Sequence, residues 1–409
     1  MRKLLSTPLT ITIVWWIGWA IISKCSFTGL DIPTDKTFFI VFLFALSLAI
    51  GGLLTKLLPV QENFEPKSNQ QMEKRFNFLF NAFSVVLFVI LGTLAIKCSL
   101  LLFSHSGADY KRLAFSTEDY TGFLFNSKKL ENLYFFISSP LLYYVGIYGL
   151  VDFWKNTNFK KLAIAFALNG LDGYIRLARV NVYMLIIMFL LVLLMSNSYT
   201  FTILKKKKKQ LAIFLLSFLS ILVIGSFRGY KANEQFNRFI IDYHTIGFSL
   251  FDYELKNPNS PLNQTTTYGR LSIGGLETFF TIFIRQFDKS YYSPALSNSI
   301  RMSKDQIHIG HDSYNSFYTL LYTFYSDGGF FGVILAGVLI GLYMHSKFKR
   351  WEKFHHTVDA FYVVLVLSTL ILSIFVSQFE IMRTWIVLII CLLVDISTKY
   401  FKTLPFNKS

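Results

Sequence analysis

The sequence predicts an all-α polytopic membrane protein with roughly ten transmembrane helices and one large loop outside the membrane. Its 409 residues are 53% hydrophobic and only 16% charged, and the mean hydropathy is +0.46. Apolar stretches of about 20 residues, the length that crosses a hydrocarbon core about 30 Å thick, recur along the chain. Lys and Arg concentrate in alternate connections between these stretches, as expected when successive helices cross a bilayer in opposite directions.

The apolar stretches divide the chain into seven N-terminal spans (residues 1–227), a large loop (228–316) and three C-terminal spans (317–409). The first stretch follows two basic residues but has no small-residue cleavage site, so we expect a retained helix. The fifth is too short to cross unaided and the eighth is unusually long. The predicted spans are Leu4–Ser23, Thr37–Leu58, Phe76–Leu102, Leu133–Phe153, Leu162–Gly173, Val180–Leu204, Leu211–Phe227, Phe317–His345, Val358–Ser377 and Thr384–Thr398.

The net charge of +16 reflects membrane orientation and not a nucleic-acid partner. Of the 40 Lys and Arg residues, 21 lie in one alternating set of connections and ten in the other set. The remaining nine lie in the large loop, where the positive-inside rule does not apply. Both termini are therefore predicted to be cytoplasmic and the large loop to lie outside. The basic run Lys205–Lys209 is expected to anchor this orientation on anionic lipid headgroups.

Two parts of the large loop are predicted to be helical without crossing the membrane. Arg238–Glu254 mixes apolar and polar residues and is expected to lie at the interface. Tyr268–Asp288 is expected to be re-entrant or interfacial, because a crossing would put the following span on the wrong side. The three cysteines form no metal spacing; Cys25 and Cys98 both fall toward the outer face and are either bridged or two separate thiols.

Arginines at the outer ends of spans are the first candidates for a binding site. The fifth span is expected to break at Gly170 and Gly173, just before Arg176 and Arg179. These two arginines either reach lipid phosphates or point into a polar cavity and bind a substrate phosphate, which the guanidinium fork matches well. Arg228 ends the seventh span, before a glycine at the start of the loop, and is either an interfacial anchor or a second phosphate ligand.

The arginines and histidines at the predicted outer face suit a transferase whose substrate carries its own activated leaving group, such as a diphosphate. No phosphate-binding loop, zinc-protease motif, nucleophile elbow or acidic D-x-D pair is present in the sequence, so we expect no nucleotide or metal cofactor. Arginines can neutralise a diphosphate leaving group while a histidine handles the proton of the acceptor. His311, just ahead of Tyr314 and Asn315, is the candidate for this histidine. The alternative is that His311 is an interfacial histidine bonded to the backbone. Glu380 and Arg383 are three apart and are expected to pair with each other.

The run from Asn315 to Gly332, followed by Gly337 and Gly341, resembles the signature of bacterial oligosaccharide repeat-unit polymerases, the Wzy-type O-antigen polymerases. The arginines of the fifth span, the Arg228-Gly229 exit and the long outer loop agree with the resemblance. In this run Asp327 precedes two glycines where many relatives have an aromatic residue, which leaves open whether Asp327 is structural or binds substrate.

The resemblance implies a GT-C-like glycosyltransferase of the bacterial inner membrane whose active site faces the periplasm. It would transfer a growing glycan from undecaprenyl diphosphate onto an undecaprenyl-diphosphate-linked repeat unit, with the bilayer and a chain-length regulator protein as further partners. Arg176 and Arg228 would bind the donor diphosphate and His311 would orient or deprotonate the acceptor. An O-antigen ligase and a lipid-linked oligosaccharide transporter are the alternatives. Further substrate-binding candidates are Arg179, Arg270, Arg383, Tyr314 and Asn315.

Overall fold

Helices make up most of the chain in the computed structural model. It describes residues 7–58, 66–105, 107–115, 121–125, 127–178, 180–196, 237–310, 312–315 and 318–400. The described chain separates into two units, one formed by residues within Met1–Asn63 and Phe236–Ile389 and the other by residues within Phe64–Gln235 and Ile390–Ser409. The predicted seventh span, Leu211–Phe227, lies outside the described residues.

In the first unit, the described residues form two N-terminal helices, most of the large loop and the helices that follow it. After a 3-10 turn at Thr55–Leu57, the description resumes with a π-helical turn at Asn237–Asp242. Two strands pair as an antiparallel hairpin. The elements are α1 Pro8–Lys24, α2 Asp35–Leu54, α8 Tyr243–Lys256, α9 Pro261–Gln264, α10 Gly274–Ile284, α11 Pro294–Lys304, β1 Gln306–Ile309, β2 Asp312–Asn315, α12 Leu320–Phe354, α13 Thr357–Leu372 and α14 Met382–Tyr400, whose last part belongs to the second unit.

In the second unit, the residues that the structure describes form five further helices. Helix α5 carries Pro140 in its interior and ends at Thr157, which adopts a left-handed conformation with φ of 50°. Its side chains Tyr144 and Tyr148 are fully buried. The helices are α3 Pro66–Ser104, α4 Gly107–Ala114, α5 Lys128–Asn156, α6 Phe159–Arg176 and α7 Val180–Met195.

Four described helices are long and apolar enough to cross a membrane, which agrees with an α-helical membrane protein. They fall within Asp35–Leu57, Gln70–Ser104, Lys128–Asn156 and Leu320–Phe354. Shorter apolar helices stand at four other places, Pro8–Lys24, Val180–Met195, Gly274–Ile284 and Thr357–Leu372. The count of ten spans and the GT-C-like fold stay predictions.

Close packing of α2 against α12 forms the centre of the first unit. A side chain at Gly341 would collide with the carbonyl group of Leu48, and one at Gly51 would collide with that of Val338. Glycines spaced four apart, here Gly337 and Gly341, let two helix backbones approach closely, which is a common arrangement in membranes. The two glycines that accompany the signature motif in the sequence therefore serve helix packing.

Helix α8 differs from the interfacial helix predicted for Arg238–Glu254. Its residues from His244 to Asp252 are buried, since α8 packs against α1 and α2. The Asp252 carboxylate accepts hydrogen bonds from the backbone N–H of Thr34 at 2.9 Å, from the Thr37 hydroxyl at 2.8 Å and from Lys256 at 2.6 Å. Asp252 thus caps the N-terminus of α2, where N–H groups lack helical partners and negative charge is favoured.

The break predicted at Gly170 and Gly173 is wrong. Helix α6 runs through both glycines to Arg176 and ends at Leu177, which has φ of 43° and closes the helix with backbone bonds to Gly173 and Tyr174. A glycine inside a helix costs about 1 kcal/mol relative to alanine, which the packing of a buried helix easily offsets. The helix ends one turn later than the glycines indicated.

A real break occurs in α12, at the Asp327-Gly-Gly segment. Gly328 and Gly329 leave the helical conformation, and Gly329 has φ of 59°, which glycine adopts without steric cost. The segment Leu320–Asp327 therefore points in a different direction from the long apolar part that follows. This short first segment is the part of α12 that lies beside the candidate site.

Candidate functional site

A cavity of about 540 Å³ lies within the first unit, in the loop region before α12. Its volume falls in the range of about 300 to 1,000 Å³ that small-molecule sites occupy. Six of its thirteen wall residues carry an aliphatic hydroxyl or an amide, and the wall also contains two arginines and two tyrosines. The wall consists of Pro261, Thr265, Thr266, Thr267, Tyr268, Arg270, Leu271, Pro294, Ser297, Asn298, Arg301, Tyr322 and Ser326.

Helix α11 contributes one face to this cavity. Ser293 caps the helix by accepting from the backbone N–H of Leu296 at 3.2 Å, and Pro294 occupies the first turn, where its fixed φ is favourable. From that start, Ser297, Asn298 and Arg301 follow Pro294 at intervals of three, four and seven residues. This spacing puts all four on the same side of a helix.

Arg301 is held rigidly in the cavity wall. It donates to Oε1 of Glu254 at 3.0 Å and to the Tyr322 hydroxyl at 3.0 Å, and its guanidinium lies 5.4 Å from the ring centre of Tyr318. Burial acts to lower the pKa of Arg301, but Tyr322, Tyr318 and Glu254 outweigh it, so the pKa lies above its ordinary value. The side chain is therefore a permanent cation whose charge is already matched by a carboxylate.

Glu254 is the buried partner that fixes this part of the site. Only 1% of the residue is exposed. Besides Arg301, the Tyr318 hydroxyl donates to Oε1 and the Ser260 hydroxyl donates to Oε2. A buried carboxylate is tolerated only when it is paired and hydrogen-bonded, and both oxygens of Glu254 meet that condition.

Arg270 also lies in the wall. Of the substrate-binding candidates predicted from the sequence, it is the one that the described residues bring to the cavity. It donates to Glu277 through Nε at 3.1 Å and through Nη2, and it contacts the Tyr291 hydroxyl at 3.4 Å. The hydrogen bond to Glu277 raises the pKa of Arg270. Because 48% of its side chain is exposed, this ion pair is worth little in stability, but it orients the guanidinium.

Asp327 anchors the loop that forms the rim of the cavity. Its carboxylate accepts from the backbone N–H groups of Leu271 and Ser272 at 3.1 and 2.8 Å, and from the hydroxyls of Ser272 and Thr267 at 2.5 Å each. The carbonyl of Ser326 also accepts from the N–H of Thr267 at 2.9 Å. These contacts support the structural alternative for Asp327, since the carboxylate binds its own loop.

Glu380 lies directly behind the cavity wall, in the connection between α13 and α14. Its carboxylate accepts from the Thr323 hydroxyl at 2.6 Å and from Asn298, a residue of the wall. Burial is the main cause that raises the pKa of Glu380 to about 7, and the nearby charge of Asp327 adds to it. Arg383 donates to Gln378 at 3.0 Å, so the structure gives Glu380 other partners than the predicted Arg383.

In the second unit, Arg176 is bound to a buried carboxylate. Asp172, 1% exposed, lies 3.5 Å from Nη1 of Arg176 and also accepts from the Tyr134 hydroxyl at 2.6 Å and from Asn181 at 2.9 Å. The Arg176 guanidinium lies 5.1 Å from the ring centre of Phe135, and about a third of the side chain is exposed. Its charge is thus oriented and only partly available.

The other sequence candidates have positions away from the cavity or outside the description. The Tyr314 hydroxyl donates to Asp242 at 2.9 Å, and the backbone of Asn315 pairs opposite Gln306 in the hairpin. Arg179, Arg228 and His311 lie outside the described residues. All three cysteines are free thiols, so Cys25 and Cys98 are not bridged.

Sequence reasoning missed Glu254, Asn298 and Arg301. Arg301 stands at the end of a short polar helix, and the Ser293-Pro294 pair at its start is a capping signal from which the helix could have been predicted. The pairing with Glu254 had no such signal, because the two residues are 47 positions apart in the chain.

No protein-family model, no curated protein and no solved structure matches the chain. The class that the structure defines is that of a mostly helical protein with candidate membrane-spanning helices.

Proposed function

We propose that the chain is a membrane glycosyltransferase that polymerises lipid-linked oligosaccharides. It transfers a growing glycan from undecaprenyl diphosphate onto the terminal sugar of an undecaprenyl-diphosphate-linked repeat unit. The proposal includes about ten spans, a GT-C-like arrangement, and a reaction at the periplasmic face of the bacterial inner membrane. The resemblance of Asn315–Gly332 to repeat-unit polymerases supports it.

The observation that carries the proposal is the cavity of the large loop. A loop cavity rich in hydroxyl and amide groups suits a glycan, which presents donors and acceptors around each ring. It lies beside the first segment of α12, whose remainder is apolar and long enough to cross a bilayer. A substrate with a sugar head and a lipid tail needs both environments in one protein.

The transfer requires one bond to form and one to break. The hydroxyl oxygen of the acceptor sugar attacks the anomeric carbon of the donor, and the bond from that carbon to the diphosphate oxygen breaks. The diphosphate leaves with the bonding electrons, and cations stabilise its growing charge. The acceptor proton passes to a base, for which His311 is the proposed residue, while Arg176 and Arg228 are the proposed diphosphate ligands.

The first prediction concerns the activity of the purified chain. Given a lipid-linked repeat unit in detergent, we expect it to produce glycans of many repeats, seen as a ladder on a gel. Arg228→Ala should abolish the ladder, and Arg301→Gln should reduce kcat/KM by about 100-fold, because it leaves Glu254 buried without its cation. Lys304→Gln, an exposed change on the same helix, is the matched control and should keep full activity.

The products distinguish the alternatives. A ligase would extend lipid A core oligosaccharide and leave the repeat unit single, whereas a transporter would form no new glycosidic bond. Normal glycan lengths from well-expressed Arg228→Ala protein would contradict the assigned role of Arg228. A chain that makes no polymer from any lipid-linked repeat unit would contradict the proposed function.

A further inference from the structure

The two arginines of the cavity are already neutralised within the structure. Arg270 is paired with Glu277, and Arg301 is paired with Glu254. A diphosphate would have to compete with these carboxylates for the same N–H groups. Breaking the buried pair would leave the charge of Glu254 without its cation, which is among the most unfavourable changes in a protein interior.

Carboxylates outnumber cations around this cavity. Among the described residues, the wall and the side chains bonded directly to it include two arginines and four carboxyl groups. Two of the four carboxyl groups belong to Asp327, which accepts from Thr267, and Glu380, which accepts from Asn298. The raised pKa of Glu380 removes only part of this negative charge near neutral pH. The local field therefore opposes a ligand that carries two or more negative charges.

The uncharged part of the wall fits a sugar ring. Ser297, Asn298 and three consecutive threonines supply hydroxyl and amide groups, which can donate to and accept from sugar hydroxyls. Hydrogen bonds between neutral partners cost less desolvation than contacts to a charged ligand. A neutral sugar would therefore lose less on entering this cavity than a diphosphate.

An exposed aromatic ring at the wall adds a stacking surface. Tyr268 is 85% exposed, whereas tyrosines in folded proteins are on average intermediate in burial. Its backbone has φ of 50°, and Gly269 follows with φ of 87°. A non-glycine residue in this region is strained, and such strain is typical of ligand clamps. The negative face of the tyrosine ring attracts the partly positive C–H groups of a sugar.

We propose that this cavity binds an uncharged sugar ring of the glycan, stacked on Tyr268 and hydrogen-bonded to Asn298, and that the diphosphate is bound elsewhere. The arginines act as fixed hydrogen-bond donors toward sugar hydroxyls while keeping their carboxylate partners. The assignment to a glycan rests on the proposed function, but the binding of a neutral sugar is measured without any transfer reaction.

Saturation-transfer-difference NMR on the full chain in lipid nanodiscs tests this proposal. The probes are neutral methyl glycosides of common hexoses, deoxyhexoses and N-acetylhexosamines, and inorganic pyrophosphate is the competitor. We expect saturation transfer to at least one sugar, a loss of about tenfold in affinity in both Tyr268→Ala and Asn298→Ala, and no displacement by excess pyrophosphate. Tyr253→Ala and Asn259→Ala, exposed changes in the same loop, are the matched controls and should bind normally.

Three outcomes would overturn the sugar site: displacement of the sugar by pyrophosphate, binding that survives both wall variants, or no transfer to any sugar of the panel. Tyr268→Ala removes an exposed side chain, so loss of binding in that variant is not a loss of folding, and thermal unfolding checks this point. Polymer formation is a separate measurement. A chain that polymerises without a sugar site here would keep the proposed function, and a sugar-binding chain that makes no polymer would keep the site.

Discussion

At the scale of single residues, Glu380 shows how position changes the chemistry of a carboxyl group. The ordinary glutamate pKa of 4.5 rises to about 7, chiefly because burial disfavours the charged form. The bonds from Thr323 and Asn298 favour the charged form but do not reverse the effect. The group therefore changes charge near neutral pH, immediately behind the wall of the cavity.

Replacing Glu380 with glutamine should change the pH dependence of stability. Between pH 4.5 and about 7 the folded protein holds this proton more tightly than the unfolded chain, so the contribution of Glu380 to stability falls as the pH rises. The fall is at most about 1.4 kcal/mol per pH unit for one proton. Glu380→Gln keeps an acceptor for Thr323 and removes the titration.

Thermal unfolding in detergent, measured from about pH 5 to about pH 8, checks this expectation. The unfolding temperature of the original chain relative to Glu380→Gln should be highest at the acidic end and should decline toward neutral pH. A difference that stays constant over the range, or that grows with pH, would show that the Glu380 pKa is not raised. Glu352→Gln, an exposed change, is the control and should leave the profile unchanged.

The residue-scale contacts were the part of the site that the sequence predicted least. The sequence predicts Arg270 as a substrate-binding candidate but does not predict its partner. Its partner Glu277 is seven residues away on the next helix, whereas Glu254 and Arg301 meet only after the loop has folded. A pairing between residues so far apart cannot be predicted from charge and periodicity, because these patterns describe single segments only.

At the scale of elements, the kink of α12 is bonded directly to the loop that forms the rim of the cavity. Asp327 ends the first helical segment, Gly328 and Gly329 redirect the chain, and the Asp327 carboxylate holds the loop at Leu271 and Ser272. The sequence leaves open whether Asp327 is structural or binds substrate, and its contacts favour the structural role. What the sequence did not indicate is that the same carboxylate also fixes the loop that carries Tyr268 and Arg270.

Asp327→Asn should loosen the rim while leaving the long apolar part of α12 intact. An amide has one oxygen to accept hydrogen bonds, whereas the carboxylate accepts four, so we expect a loss of about 1 to 3 kcal/mol. Hydrogen exchange read by mass spectrometry should accelerate in peptides containing Leu271 and Ser272. Asp288→Asn, an exposed change in the same loop, is the control. Unchanged exchange at the rim in Asp327→Asn would contradict the anchoring role.

The helices were predicted correctly where the length of an apolar run determines them, and incorrectly where tertiary packing determines their ends or their environment. The predicted span Thr37–Leu58 corresponds to α2 and its 3-10 turn, because a long apolar run leaves few alternatives. Helix α6 continues through Gly170 and Gly173, since tertiary packing outweighs the low helix propensity of glycine. Helix α8 looked interfacial because it mixes polar and apolar residues, but its polar Asp252 is satisfied internally by the end of α2.

At the scale of the whole molecule, the charge distribution predicts which side of the membrane each connection faces. The connection after α1 is predicted to lie outside and the connection after α2 to lie in the cytoplasm, because basic residues cluster on the cytoplasmic side. Helices α1 and α2 pack against each other in the first unit. Cys25 follows the end of α1 and Lys56 follows the end of α2, so the two positions are predicted to be on opposite sides.

Natural and introduced thiols at these two positions test the orientation. Cys25 is an exposed free thiol, whereas Cys98 and Cys391 are buried, so a membrane-impermeant maleimide applied to spheroplasts should label Cys25. Cys25→Ser should abolish that labelling. Lys56→Cys added to Cys25→Ser places a thiol at an exposed site on the predicted cytoplasmic side, and it should react only after the membrane is permeabilised. If Lys56→Cys is labelled in intact spheroplasts and Cys25 of the original chain is not, the chain has the opposite orientation. The cavity of the large loop would then face the cytoplasm, which would contradict the proposed reaction at the periplasmic face.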